Sequence, residues 1–148
     1  MRKAVRAIIV NNDQILVMHR DKFSQEYDIL IGGAIEMGET PEQAIIREIK
    51  EECGVVVGPL KLTFVEDAKE PYGIQFIYLC NYLSGEPVLS SESVEFKINQ
   101  MGKNRYQPVW RNISELANLV FRSDKIKNAM IKAFNEGFPS EPVDITNL

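Results

Sequence analysis

Three carboxylates carry the strongest chemical signal in this sequence. Glu48, Glu51 and Glu52 stand at i, i+3 and i+4 in "PEQAIIREIKEECG", a spacing that puts all three on one face of a helix. Like charges so placed repel by a few tenths of a kcal/mol per pair. They also crowd the C-terminal half of the segment, where the helix dipole disfavours negative charge. A hard divalent cation reverses that balance. Mg²⁺ or Mn²⁺ takes carboxylate oxygen, keeps part of its water, and shares its sphere with a substrate phosphate. The competing reading is a solvated acidic helix face with no ion.

Two neighbouring features could position such a site. Arg47 precedes Glu48, and Glu39 lies eight residues before Arg47; an ion pair between them would tie the preceding loop to the helix and orient the ligands. Gly32 and Gly33 let backbone approach closely, so that the Gly32 carbonyl could join a metal shell.

The elements that hold these residues follow from periodicity. Ala44, Ile45, Ile49 and Cys53 form an apolar stripe over a helix at about 41–53. Thr40 suits its N-cap, Pro41 its first turn, Gln43 a capping box and Gly54 its C-terminal stop. "VRAIIV" and "QILVMHR" around "NND" predict a β-hairpin over 4–19, and "FSQEYDILIGG" a loop followed by a short strand. "VVVGPLKLTFVEDA" and "YGIQFIYLCNYL" are rich in β-branched and aromatic residues and predict further strands. Residues 88–105 are polar and fit no element. "YQPVW" leads out of a strand, "ISELANL" starts a short helix with Ser114 as its cap, and a long amphipathic helix spans about 123–136. The tail after Gly137 is expected to be loose. Strands before, between and after helices indicate an α/β fold of sandwich type.

The whole chain narrows the classes. Its 148 residues, 45% hydrophobic and 26% charged, suit one globular domain over 1–148. No apolar run approaches the roughly 18 residues of a membrane span, and the N-terminal apolar stretch ends too early for a signal peptide; a cytoplasmic location is expected. Cys53 and Cys80 are too few for a disulfide framework or a zinc site. A net charge of −4 argues against broad binding to a nucleic-acid backbone. The lone His19 is expected to be structural and Trp110 to be core. Phe23, Tyr27, Tyr72 and Tyr106 could stack on a base, though core or rim is the commoner role of such residues.

The spacing as a whole points further. From Gly33, five residues lead to Glu39 and seven more to Arg47–Glu48; then come Ile49, one residue, Glu51–Glu52, one residue, Gly54 and Val55. This stretch resembles the Nudix box, complete at its defining positions over residues 33–55, about one-sixth of the chain. The order of hairpin, box helix, strands and C-terminal helix also resembles the Nudix fold, an α/β/α sandwich around a mixed β-sheet.

The resemblance implies hydrolysis of a nucleoside diphosphate linked to another group, with Mg²⁺ or Mn²⁺ as cofactor and a small nucleotide as substrate. By position it implies Glu51 and Glu52 as metal ligands and Glu48 as ligand or water orienter. The Gly32 carbonyl is a further candidate ligand, and Arg47 and Glu39 are orienting residues. Many relatives add a loop Glu well after the box: Glu92 and Glu95 are the candidates here, ahead of Glu66 and Glu70. Arg6, Arg20 and Tyr27 are candidate substrate contacts. The chain departs from the common pattern at Ile31, where many relatives have Pro. Substrate identity and oligomeric state, a homodimer included, stay open. So do two alternatives: a nucleotide sensor without activity, and an RNA-end pyrophosphohydrolase, which would want a basic groove that the charge balance does not suggest.

Overall fold

The computed structural model describes residues 2–148. Strands β1 (Lys3–Asn11) and β2 (Gln14–Lys22) form the expected hairpin, with Asn12 at φ 56° in its two-residue turn. The anticipated loop before the glycines is much shorter. Phe23 and Ser24, at φ 50° and 71°, close a second tight hairpin, and β3 (Gln25–Ala34) runs ten residues through both glycines. Positive φ at both turn residues matches the twist of the flanking strands. Polarity of the loop sequence hid this turn, because neither residue is a glycine.

Helix α1 (Pro41–Glu52) carries the full reciprocal capping box between Thr40 and Gln43, and Cys53 caps its C-terminus. β4 (Val56–Val57), β5 (Lys61–Asp67) and β6 (Ile74–Ser84) follow. The unassigned polar stretch contains α2 (Val94–Asn99), capped by Ser93. β7 (Asn104–Asn112) pairs with β2 along its whole length. Pro108 is tolerated inside it because β7 is an edge strand. The next turn is a 3₁₀ helix, Ile113–Asn118, with Asn112 at the cap position and no side-chain cap; Ser114 lies inside it rather than capping it. After β8 (Phe121–Arg122) comes α3 (Asp124–Glu136), capped by Ser123. The tail is pinned, contrary to expectation: β9 (Val143–Asp144) pairs with β5, and Ile145 is buried.

Among the described residues, nine strands form a mixed sheet in the order β7-β2-β3-β1-β6-β5-β9, with β4 on β6 and β8 on β3. Alternate residues feed two cores. Val5, Ala7, Leu16 and Met18 pack towards α1 with Ile45 and Ile49. Ile8, Ile15, Val17 and Ile77 pack towards α3 with Ile126 and Met130. The result is the α/β/α sandwich. Cys80 is buried, and Trp110 packs edge-on to Tyr82 against the α1 core. Ile31 is a fully buried strand residue paired with Ala7; unlike Pro, it keeps an N–H for the ladder.

Candidate active site

The site begins at a break in the sheet. On its edge away from β2, β3 pairs with β8 at Asp28 and Ile29 and with β1 at Ile31–Ala34. Leu30 falls between the two partners. Its carbonyl accepts instead from the Arg6 guanidinium, Nη1 at 3.2 Å, while Arg6 Nε donates to Gln75 Oε1 at 3.2 Å. A cleft of about 890 Å³ opens here, bounded by α1, the start of β1, β5, β6, β8 and α2.

The two glycines do different work. Gly32 has φ 153°, and a Cβ there would fall 2.0 Å from the Val5 carbonyl oxygen, so the strand can pass β1 only without a side chain. A Cβ on Gly33 would meet Glu48 Oε1 at 2.6 Å. Its absence lets the Glu48 carboxylate lie against the strand. The Gly32 N–H donates to Glu52 Oε1 at 2.7 Å. Sequence reasoning had looked to the Gly32 carbonyl; the N–H is the group whose contact is visible.

Arg47 organises the rest. Its Nε and Nη2 grip Glu39 at 2.8 and 3.0 Å, the expected pair in bidentate form. Nη2 also donates to the Ala34 carbonyl at 3.0 Å, and Nη1 to Glu48 Oε1 at 2.8 Å and Glu51 Oε2 at 3.3 Å. Glu39 in turn accepts the Glu36 N–H at 2.8 Å. The loop, the strand end and the acidic face are thus fixed by one guanidinium. Its hydrogen bond to Arg47 lowers the Glu39 pKa.

The buried carboxylates behave oppositely. Burial raises the Glu48 pKa and raises that of Glu52 well above the usual range, against the Gly32 N–H and the nearby charge of Arg6. Glu52 is 3% exposed and takes no hydrogen bond from a cationic side chain among the described residues. With only the charge of Arg6 nearby and no cation in hydrogen-bond contact, the ionised form of this desolvated carboxylate is disfavoured. With Glu48 and Glu51 beside it, the donor set is all hard oxygen and fits Mg²⁺ or Mn²⁺. Among the described residues, no three acidic, His or Cys groups converge as a cage. Glu48 and Glu51 are turned to Arg47, and gathering around an ion requires them to swing from it.

The other candidates divide. Glu95 lines the cleft and raises the pKa of Glu52 and Glu48 by its charge, whereas Glu92 is exposed and outside it. Arg6, Arg20 and Tyr27 all line the cleft. Tyr27 is not free to stack on a base: the Arg122 guanidinium lies 3.9 Å from its ring centre and that of Arg20 5.7 Å. Tyr106 is likewise covered by Arg20 at 3.6 Å. Tyr72 is half exposed at the rim, while Phe23 lies outside the cleft. His19 is bonded to Asp28 and Glu26, away from the cleft, with Arg111 on Asp28; it is structural, as expected. Sequence reasoning missed Gln75 and Arg122 and ranked Glu66 low. They come from three separate strands, and no linear spacing announces them.

A family model for the NUDIX domain matches residues 1–127. The chain belongs to the Nudix family. Among curated relatives, the NAD-capped RNA hydrolase NudC of Pseudomonas aeruginosa is 27% identical over 88 residues, 60% of this chain and 32% of that protein. The Escherichia coli NudC is 29% identical over 86 residues, 58% and 34% respectively. The chain therefore spans about a third of the length of these relatives' matched proteins. Solved Nudix structures superpose on most of the fold. A MutT structure from Aliivibrio salmonicida and Vibrio cholerae work aligns with TM-score 0.63 at 27% identity, covering 88% of this chain and 95% of that one. An ADP-ribose pyrophosphatase from Streptococcus suis aligns with TM-score 0.68 at 19% identity, covering 97% and 98%. No helix of the described Nudix fold is long and apolar enough to cross a membrane.

Proposed function

We propose that this Nudix protein hydrolyses the pyrophosphate linkage of a small nucleoside diphosphate derivative with the help of Mg²⁺ or Mn²⁺, as a cytoplasmic enzyme. One observation carries this reading. Glu48, Glu51 and Glu52 stand at one end of a nucleotide-sized cleft whose remaining wall holds Arg6, Arg20 and Arg122. When bound, the metal neutralises phosphate charge and lowers the pKa of a water. Glu51 and Glu52 would hold it, with Glu48 as ligand or orienter of the water, the Gly32 carbonyl as a further ligand and Glu95, in the first turn of α2 rather than in a loop, as the added carboxylate. Arg47 and Glu39 keep those groups in register, which is most of what phosphoryl transfer asks of a protein. Arg6 meets the phosphates from the gap beside Leu30.

The test is phosphate release from a nucleotide panel with Mg²⁺, run beside Glu52→Gln. Equal rates for the two proteins on every nucleotide would leave a nucleotide sensor as the better reading. An RNA-end reading also draws support from the NudC relatives and from the cleft. The fold gathers Arg2, Arg20, Lys22 and Arg122 into the cleft beside its carboxylates, cationic groups that the net charge concealed. Faster cleavage of NAD-capped RNA than of free NAD or nucleoside triphosphates would favour it.

A further inference from the structure

Glu66 is a buried carboxylate that the proposed hydrolysis does not use. It is 4% exposed, stands on β5 and lines the cleft. Its Oε1 accepts the Ser123 hydroxyl at 2.9 Å. Among the described residues Oε2 accepts no hydrogen bond, yet no buried side-chain oxygen is left without a partner. Oε2 is therefore not sealed; Glu66 lines both the cleft and a smaller adjoining pocket with Asp67, Lys69 and Lys125. Water can satisfy that oxygen in the open cleft, but a ligand that displaces the water leaves it unpaired, at a cost, unless the ligand brings a donor of its own.

Among the described residues Glu66 makes no hydrogen bond with the acidic face; its side-chain partner is Ser123. Gly32, against which Glu52 is held, lies on β3; Glu66 is three strand steps away across β1 and β6. Its carboxylate instead lies beside Ser123 at the start of α3, on a different element from the acidic residues of α1. Gln75 pairs across from Glu66 and locks Arg6, and its own amide is held by the Tyr72 carbonyl at 2.8 Å. Phe121 and Ile126 add apolar surface beside Ser123, with Tyr72 at the rim.

We propose that Glu66 reads the nucleobase, accepting N–H donors from its edge, and thereby sets base preference. This rests on the proposed nucleotide substrate. A carboxylate offers acceptors only. It fits best a base presenting two adjacent N–H donors, as guanine does. Adenine and cytosine present an amino group beside an acceptor nitrogen and rank lower. Uracil presents two carbonyls flanking one N–H and ranks last.

The experiment measures binding of GDP, ADP, CDP and UDP by calorimetry without divalent metal, on the wild type, Glu66→Gln and Glu66→Ala, with melting curves for each. Binding is read without turnover, so it stands apart from the hydrolysis claim: a protein that binds by base but cleaves nothing sinks the proposed function alone. The expected result is tightest binding of GDP and weakest of UDP, with the GDP-over-UDP ratio falling about tenfold or more in both variants. UDP affinity should change little. Glu66→Gln keeps shape and can still accept from Ser123, so it decides the matter should Glu66→Ala melt early. A wild type without base preference, no detectable binding of any of the four, or a preference that survives in Glu66→Gln would overturn the proposal. So would a uniform loss for all four nucleotides.

Discussion

The two ends of the cleft are built differently. Apart from Glu95 on α2, one end is a single stretch of chain, Gly32 to Glu52, in which a strand, a capped helix and one arginine set the groups. The other is assembled from Arg6 on β1, Glu66 on β5, Gln75 on β6 and Arg122 on β8. The first end is tied together by Arg47, which contacts Glu39, Glu48, Glu51 and the Ala34 carbonyl. The second varies one strand at a time, with no change to the acidic face. Chemistry held in one compact segment and choice spread over several strands would let relatives share a reaction and differ in substrate.

The strongest way to break that division is at Glu52. Glu52→Gln keeps volume and can still accept the Gly32 N–H. It should cost about 10³-fold or more in hydrolysis, the several kcal/mol expected of a lost metal ligand. Burial already disfavours the Glu52 charge, so metal-free stability should hold or rise. Mn²⁺ should raise the wild-type melting temperature, because ligand binding to the folded state stabilises it, and this rise should shrink in the variant. Thermal melts with and without Mn²⁺ check it; an equal rise in both proteins would remove Glu52 from the metal site.

The glycines test whether the first end is one rigid piece. Gly32→Ala forces a Cβ into the Val5 carbonyl at a positive φ and should cost about 3–5 kcal/mol of stability. Gly33→Ala meets only the end of the Glu48 side chain. The strand survives and the carboxylate moves, so hydrolysis should fall about tenfold to a hundredfold with little change in urea midpoint. If Gly33→Ala lost stability and activity together, Glu48 would not be the group it displaces.

A milder change sharpens the other end. Arg122 lines the cleft and lies over Tyr27. Arg122→Ala should raise KM about threefold to tenfold and leave kcat nearly unchanged, the mark of a contact made equally to substrate and transition state. Steady-state kinetics read the split, and a fall in kcat at constant KM would put Arg122 among the reacting groups.

What could be read from the sequence follows the same division. Glu48, Glu51, Glu52, Arg47 and Glu39 lie within fourteen positions, where helical periodicity and capping convert spacing into geometry. The capping box of Thr40 and Gln43 and the grip of Arg47 on Glu39 were legible for that reason. Glu66 and Gln75 become neighbours only through the β5–β6 register, and Arg122 reaches Tyr27 only because β8 adds to β3. Strand order is set by long-range packing, and local propensity does not encode it. The Phe23–Ser24 turn escaped for a smaller reason, as neither residue is the glycine or asparagine that usually marks positive φ. The tail looked loose because two short pairings, with one buried Ile145, hold it.

The smallest expected effect lies outside both ends, at His19. Burial pushes its pKa down, but hydrogen bonds to Asp28 and Glu26 outweigh this and raise it. The folded state therefore holds the proton more tightly than the unfolded chain. The stability so gained is fully present below about pH 6.5 and is lost as pH rises through the folded value. His19 is partly exposed, so solvent screening keeps the gain below about 1 kcal/mol. In urea titrations His19→Gln should fall short of the wild type at pH 5.5 and approach it at pH 8.5, with kcat/KM unchanged at both. If kcat/KM moved while stability did not, the His19–Asp28–Arg111 network would be reaching the cleft through β3, where Asp28 adjoins Tyr27. Two ends would then be too few to describe how this fold controls its reaction.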